Sequence, residues 1–529
     1  MEGATNPGEL PNEPIFVQLL KVSRQVDHVI VHDANRGITA DFTQLLADIL
    51  QTRCSLRASL PDSVLGSNRL LKDTNPYVLL LPDGHYDFII GAYSILSIGG
   101  AFVPLEEAMH ILRKCRSCSI LASQAHLPLA RELQRIAASE GLEVTIIQIQ
   151  SQTSATDMLL SSLTIGTGLV IPTNSPGMVL FTSGTSGPPK GVVLKRDIFF
   201  ELYTLCEPND IVLSHKNYIW IGSALALILH PLAGSRLEVI FSDPQAIWER
   251  LRKGGVTRLA ANPYLWNNMM QYYQQQLQGL PPTELEEYVR GARSLRVAQV
   301  GGAMPHSSLL KFWRDMGRPL GVSYGTTELG GLGIKHHAGN ADAPERCIGK
   351  PSPKMTVRLS DGDHGEIQIK SPTLFLGYLD NEAATRAVFT DDGFYRTGDL
   401  AHLEGGNYVL DGRATQDSAI VRFAPPNTCG DGTIEQSLRF LRTSLATKLP
   451  AFMLPTVLRI LQEGEELPRT VSNKVIKAKV IEQYFPLADS WKFPAEVELW
   501  RHDVSDNGRP RKPWDWGGVA PPKPHVPIA

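Results

Sequence analysis

Apolar and polar positions alternate along the first third of the chain in blocks that switch between helical and strand spacing. YVLLL (77–81) is a wholly apolar strand pattern, stopped by Pro82-Asp83. DFIIGAYSILSIGG (87–100) then carries helical spacing and a Gly-Gly stop, and AFVPL follows as a second strand. LRKCRSCSILAS (112–123) and LEVTIIQIQ (142–150) continue the alternation. Strand–helix–strand repeats of this kind predict parallel sheets covered by helices, because a parallel crossover needs a long connection. The hydroxyl-rich stretch 151–176 reads as a surface connection, and MVLF (178–181) as a short buried strand. RLEVIF (236–241), VTRLAA (256–261) and SLRVAQVGG (294–302) predict further strands, separated by helices at 244–254 and 305–316.

From about residue 355 the pattern changes to short strands and turns, as in TVRLSDGDHGEIQIKS and NYVLDGR, which predicts antiparallel structure. Around Asp411-Gly412-Arg413 it changes again, to a helix at 433–448 and a short strand, VLRIL, at 457–461. Residues 487–529 are rich in Trp, Pro and charge and read as an extended tail. Three parts follow: a large N-terminal domain (1–411), a small C-terminal domain (412–486) and the tail (487–529).

Composition narrows the class. A chain of 529 residues exceeds one compact core. With 51 Lys and Arg against 54 Asp and Glu, no global field draws in nucleic acid or an anionic membrane. The apolar runs near 88–105 and 218–229 fall short of the ~20 residues a bilayer requires and read as core. MEGATNPGELPNEP offers neither the basic nor the apolar run of a leader, and the terminal VPIA is no peroxisomal address, so a cytoplasmic setting is expected. Of the six cysteines, Cys115 and Cys118 form a CxxC with no second pair or nearby His, which reads as buried thiols.

Candidate chemistry begins at LFTSGTSGPPKG (180–191), where small and hydroxyl residues and Lys190 follow a strand. Lysine precedes a glycine there, so the loop is not a Walker P-loop, yet its backbone N–H groups, hydroxyls and single charge suit phosphate oxygens. A flexible Gly/Ser turn is the bland alternative. SYGTTELGG (323–331) adds Tyr324, able to stack on a base, Thr327, able to bond a phosphate, and Glu328, able to hold Mg²⁺ beside it. FYRTGDL (394–400) sets Asp399 after a glycine, where it can accept from two ribose hydroxyls. LPRTVSNKVIKAKV (467–480) presents Lys474 on a loop leading into a final helix. Each cluster alone reads equally well as a turn, a hairpin or a solvated helix; the set, in this order, does not.

With these motifs the chain resembles the acyl-adenylating superfamily of acyl-CoA synthetases, peptide-synthetase adenylation domains and luciferases, from about 75 to 485. The resemblance implies an α/β fold: a large N-terminal domain of two stacked α/β subdomains plus a β-barrel subdomain, and a small α+β C-terminal lid. It implies that ATP and a carboxylic acid form acyl-AMP and pyrophosphate, with Mg²⁺, and that a thiol, usually coenzyme A, then takes the acyl group. Carried over, Thr182, Ser183, Thr185, Ser186 and Lys190, with Gly184 and Gly187 in the same loop, hold the β- and γ-phosphates. Thr327 meets the α-phosphate and Glu328 the Mg²⁺. Gly301, Gly302 and Tyr324 line the adenine slot, with Gly325 and Thr326 beside it. Asp399 and Arg413 bind ribose, and Lys474 stabilises charge as the carboxylate attacks phosphorus. Lys474, Thr327, Glu328 and Lys190 form the catalytic group.

For the acid, the resemblance points to the His215 region, the 262–266 segment with Tyr264, residues 301–303 and the flanks of YGTTE. His215 reads equally as a structural histidine. Residues 242–276, 286–305 and GRATQD are most similar to the malonyl-CoA synthetase branch, and Arg346 is the cation considered for a second carboxylate. The pattern departs from the family after GRATQDS, where tens of residues that carry a glycine loop for the coenzyme A tunnel are missing, which shortens the lid. Asn473 also replaces the usual glycine before the lysine, a change Asn tolerates in the left-handed region. The expected activity is an acid–thiol ligase. The alternatives are adenylation alone, with transfer to a carrier protein or an amine, and a degenerate ATP-binding protein.

Overall fold

In the computed structural model the described residues are 8–74, 76–104, 108–151, 160–182, 189–336, 343–413, 418–421, 441, 457–462, 464–469, 475, 477–484 and 497–499. The chain divides into two compact units, Met1–Thr182 with Gly191–Asp411, and Ser183–Lys190 with Gly412–Ala529.

Two sheets organise the large unit. The first has seven strands in the order Gly377–Tyr378, Lys190–Lys195, Pro176–Thr182, Ala101–Pro104, Tyr77–Leu81, Ser119–Ala122, Thr145–Gln148. Tyr77–Leu81 pairs in parallel with both Ala101–Pro104 and Ser119–Ala122, as the alternating blocks predict. Helix His85–Leu96 returns the chain between them and is buried on every side, which is why its sequence is apolar all round. Both long apolar runs are core, and among the described residues no helix is long and apolar enough to cross a membrane.

The second sheet carries six parallel strands in the order Val31–Asp33, Arg236–Val239, Ile211–Ser214, Arg258–Ala261, Val297–Gly301, Gly321–Tyr324. Beyond Gly321–Tyr324 it turns antiparallel through Ile334–His336 and Cys347–Pro351. The antiparallel strands expected from about residue 355, here Thr356–Asp361, His364–Lys370, Tyr395–Glu404 and Asn407–Arg413, continue that hydrogen-bonded order.

The two sheets meet through their helices. Tyr93 Oη donates to the Ile228 carbonyl (2.7 Å) across that seam, and Phe88 stacks on Tyr218 at 5.2 Å. Arg196, wholly buried, donates to both oxygens of buried Glu13 at 2.7 and 2.6 Å and to the Gly100 and Leu96 carbonyls. At the amino ends of three parallel strands a second buried carboxylate is tied down. Arg296 donates to both Asp210 oxygens, and Thr257 and Arg258 donate to one each. Burial alone would raise the Asp210 carboxyl, but the bonds from Arg296, Thr257 and Arg258 outweigh it and hold the group down at about 2.

Two expectations change. The stretch 151–176 is not merely a surface connection: Thr164–Val170 is a strand pairing in parallel with Glu9–Asn12, and Leu169 is buried. Its glycines and polar alternation hide a half-buried strand that packs on one face only. In the small unit, Ser418–Val421 lies parallel to Val457–Ile460, which pairs antiparallel with Val497–Leu499. Val497 joins Leu461, Val480 and Tyr484 in a buried cluster, so three residues of the stretch read as a tail belong to this sheet. The helix expected at 433–448 lies outside the described residues, apart from Leu441.

The described cysteines are free thiols, and burial pushes Cys115 up to about 12, in keeping with a buried thiol rather than a redox pair. Cys429 lies outside the described residues.

Candidate active site

Parallel α/β sheets bind ligands at the carboxyl ends of their strands, where loops splay apart. Four neighbouring strands of the second sheet bring the candidate residues to that edge. Ile211–Ser214 ends at His215, Arg258–Ala261 leads into Asn262-Pro263-Tyr264, Val297–Gly301 ends beside Gly302, and Gly321–Tyr324 runs into Gly325-Thr326-Thr327-Glu328. Gly302 sits at φ 82° with nothing within 4 Å of where a Cβ would stand, an open floor beside the strand end.

Local chemistry fixes each element. Asn262 caps helix Pro263–Tyr272 through the Leu265 N–H (2.9 Å), with proline at the first helical position. Trp266 is fully buried and donates its indole N–H to the Gln299 carbonyl (2.9 Å), fastening this segment against the strand that ends in Gly301. Tyr264, near the start of the helix, is 62% exposed.

The fourth strand end reaches the antiparallel part of the unit. Tyr324 Oη donates to Asp399 Oδ2 at 2.7 Å, so YGTTE and YRTGD, 75 residues apart, share one hydrogen bond. Asp399 is 6% exposed and its N–H donates to Thr397 Oγ1. Gly398, at φ 73°, gives its N–H to Glu366 Oε1 (2.9 Å), which shapes the turn carrying Asp399.

Glu328 lies in a single turn, Thr327–Leu329, closed by Gly330 at φ 63°. Its Oε1 accepts from Tyr378 Oη at 2.9 Å, and its carbonyl accepts from the Phe375 N–H at 2.9 Å. Thr373 Oγ1 donates to the Leu329 carbonyl, and a Cβ on Gly330 would collide with the Thr373 carbonyl. The same segment bonds the strand that follows the phosphate-loop motif: Leu376 N–H to Val193 O and Leu379 N–H to Gly191 O, with Val192 paired to Tyr378. Residues 373–379 therefore staple the TTE turn to the root of that loop. Burial, then the Glu328 charge, raises the Tyr378 hydroxyl well above its ordinary value, so it stays a donor; Tyr395 is raised by the same two causes.

His215 is held on both sides. Nε2–H donates to the Ala260 carbonyl (3.0 Å) and Nδ1 accepts from Ser242 Oγ (3.3 Å). Burial and the neighbouring Lys216 charge push its pKa down to about 3, so the ring is neutral and its polar atoms serve the sheet edge. Arg346 opens the turn into Cys347–Pro351 at φ 64°, and its carbonyl accepts from the Leu410 N–H. No side-chain contact joins it to the strand ends among the described residues.

Thr182 ends the strand Pro176–Thr182, and Lys190 begins the next and is exposed. Arg413 ends Asn407–Arg413. Ser183, Gly184, Thr185, Ser186, Gly187 and Lys474 lie outside the described residues; Arg469 and Val475, flanking the lysine motif, pair antiparallel. Sequence reasoning passed over Tyr378, which hides in FLGYLD as an ordinary strand tyrosine.

The site's donor set can be tested against Mg²⁺. Glu328 offers one carboxylate, half engaged by Tyr378, and no group of three or more His, Cys, Asp or Glu gathers among the described residues. That fits Mg²⁺ arriving with phosphate oxygens and keeping several waters, which takes one or two carboxylates.

Fold and crevice together define a nucleotide-handling α/β enzyme. The chain belongs to the AMP-binding enzyme family, whose model matches residues 69–379. It is 31% identical to the acyl-CoA ligase oryP of Aspergillus oryzae over 531 residues, covering 90% of this chain and 93% of that protein. It is 25% identical to a malonate–CoA ligase of Arabidopsis thaliana over 63% of this chain and 58% of that one. Among solved structures, ATP-bound MatB from Rhodopseudomonas palustris matches with a TM-score of 0.69 at 18% identity, covering 90% of this chain and 99% of that one.

Proposed function

We propose that the protein is an AMP-forming acid–thiol ligase that joins a carboxylic acid to coenzyme A through an acyl-adenylate. ATP and the acid give acyl-AMP and pyrophosphate as an acid oxygen attacks the α-phosphorus; the coenzyme A thiol then displaces AMP. The observation that carries this reading is the convergence of YGTTE and YRTGD on the Tyr324–Asp399 hydrogen bond at a parallel-sheet edge.

In this scheme no side chain forms a covalent bond; positioning and charge carry the chemistry. Asp399 receives ribose hydroxyls, Tyr324 and the Gly301-Gly302 edge flank the base, and Thr327 donates to the α-phosphate. Glu328, with one oxygen engaged by Tyr378, is the residue that would hold Mg²⁺. The bound cation would neutralise phosphate charge. Lys190 and the glycine–hydroxyl loop take the outer phosphates, Arg413 adds to the ribose contacts, and Lys474 supplies charge that matters most in the transition state. A cytoplasmic, reducing setting accords with the free thiols.

The test is acid-dependent exchange of labelled pyrophosphate into ATP across a panel of small, aromatic and fatty acids, with AMP release on adding coenzyme A. Lys474→Ala is expected to slow exchange on the order of 10²–10³-fold. Exchange that no acid supports would remove the reading. The segment missing after GRATQDS favours a second reading, adenylation with transfer to a carrier protein or an amine. Exchange without coenzyme A-dependent turnover selects that one.

A further inference from the structure

We propose that Glu366 and Thr397 are positioning residues for the nucleotide: they hold open a β-bulge that aims Asp399, and through it set the preference for a ribose that carries its hydroxyls. The inference rests on the proposed role of Asp399 as ribose acceptor and adds to it what puts that carboxylate in place.

Tyr395–Glu404 runs antiparallel to His364–Lys370, and the ladder breaks where Asp399 stands. Glu366 pairs with Leu400 and Gln368 with Arg396, so Thr397, Gly398 and Asp399 together face Ile367 alone. Three residues against one leave two extra on the bulged strand. An odd insertion would turn every later side chain to the opposite face, whereas an even one keeps the alternation in phase. The phase is kept: Tyr395, Thr397, Asp399 and Ala401 are all buried, and Arg396 between the first two is exposed. Asp399 therefore stays on the inner face while its backbone leaves the regular pairing.

A bulge strands backbone donors, and here side chains receive them. Gly398, in the left-handed region at φ 73°, gives its N–H to Glu366 Oε1 (2.9 Å). Asp399 gives its N–H to Thr397 Oγ1 (3.1 Å), and that hydroxyl donates to the carbonyl of Ile367 (2.9 Å), the one residue opposite. Glu366 is gripped in turn. Its Oε2 accepts from Arg396 Nε at 3.0 Å, and its own N–H donates to Ser360 Oγ at 2.9 Å. One carboxylate thus binds both the last paired residue before the bulge and the residue at its middle. A water could satisfy the Gly398 N–H but would not tie it to a neighbouring strand. Tyr324 fixes Asp399 at one carboxylate oxygen, and Glu366 and Thr397 fix the backbone that carries it. Such a grip matters because binding geometry must hold to within about 0.5 Å.

The experiment compares ATP with an ATP analogue lacking both ribose hydroxyls, using wild type, Glu366→Met, Glu366→Gln and Thr397→Val. Calorimetry gives the Kd of each nucleotide, and pyrophosphate exchange gives KM and kcat. Wild type is expected to favour ATP by on the order of 10², and Glu366→Met to reduce that ratio about tenfold. The loss is expected in the Kd and KM of ATP, with the analogue and the kcat at saturating ATP changed less than about threefold. Glu366→Gln keeps an acceptor for Gly398, and Arg396, half in solvent, can turn away, so most of the preference is expected to return. Thr397→Val is expected to lower the ratio as Glu366→Met does, and it decides the matter if thermal unfolding shows Glu366→Met to be misfolded. Equal weakening of both nucleotides, an unmoved ratio in a folded variant, or no wild-type preference for ATP would overturn the proposal. A preference present in wild type and lost in Glu366→Met, with no exchange from any acid, would keep the positioning role and discard the ligase. Exchange with the ratio unmoved would do the reverse.

Discussion

Tyr324 gives its hydroxyl hydrogen to Asp399 at 2.7 Å, and through that bond a parallel strand end and an antiparallel strand share a buried contact. A hydrogen bond to a charged group contributes about 1.5–3 kcal/mol, so its loss is worth about tenfold or more. Tyr324→Phe keeps the ring and drops the bond; the expected result is a KM for ATP raised about tenfold. Asp399→Asn is expected to raise it further, since the proposed ribose acceptor is weakened as well. Steady-state exchange at varied ATP checks both, with thermal unfolding to confirm the fold.

Glu328 and Tyr378 form the second such pair. Glu328→Gln is expected to cut the maximal exchange rate by 10² or so and to raise the Mg²⁺ needed for half-maximal activity. Tyr378→Phe frees the carboxylate to rotate, and the Mg²⁺ requirement is expected to rise several-fold while the rate at saturating Mg²⁺ holds. A Mn²⁺ titration followed by electron paramagnetic resonance, with a non-hydrolysable ATP analogue, reports the same shift without turnover.

Glu13→Ala leaves Arg196 wholly buried with its two carbonyl partners and no counter-charge. Breaking a buried pair from one side costs about 3–5 kcal/mol. Urea unfolding followed by tryptophan fluorescence is expected to show a midpoint lowered by more than 1 M, given slopes of about 1–3 kcal/mol per molar.

Acid stability depends on buried neutral histidines. Burial lowers His215 and His230 to about 3, and His85 shifts the same way. The unfolded chain takes up these protons near the ordinary value of about 6.5 while the native state refuses them. Their contribution is therefore fully present above pH 6.5 and is lost as pH falls towards 3, by about 1.4 kcal/mol per pH unit for each ring. His230→Asn is expected to flatten the fall in unfolding free energy between pH 6.5 and 4.5 by one proton's worth, read from urea curves at each pH.

The alternation YVLLL–helix–AFVPL predicted a parallel pair, and Tyr77–Leu81 and Ala101–Pro104 form it, because strands covered on both faces leave continuous apolar runs. The motifs that hold Tyr324, Glu328 and Asp399 stood out for a different reason: as a set, in that order, they did not read as ordinary turns, and the structure joins Tyr324 to Asp399. Thr164–Val170 was hidden by its glycines, since a one-sided strand needs few apolar positions. Val497–Leu499 was hidden by the Pro- and Trp-rich residues around it. Tyr378 was illegible singly, as its meaning lies in what stands opposite it in space, the Glu328 carboxylate.

Asp210 ties the amino ends of three parallel strands from the far side of the sheet. The scaffold is thus clamped at one rim while the opposite rim is free to vary its loops. A protein built so can exchange exposed residues of that outer rim, Tyr264 among them, without renegotiating its register. Directed evolution confined to that outer rim should find new substrates long before it finds unfolded chains.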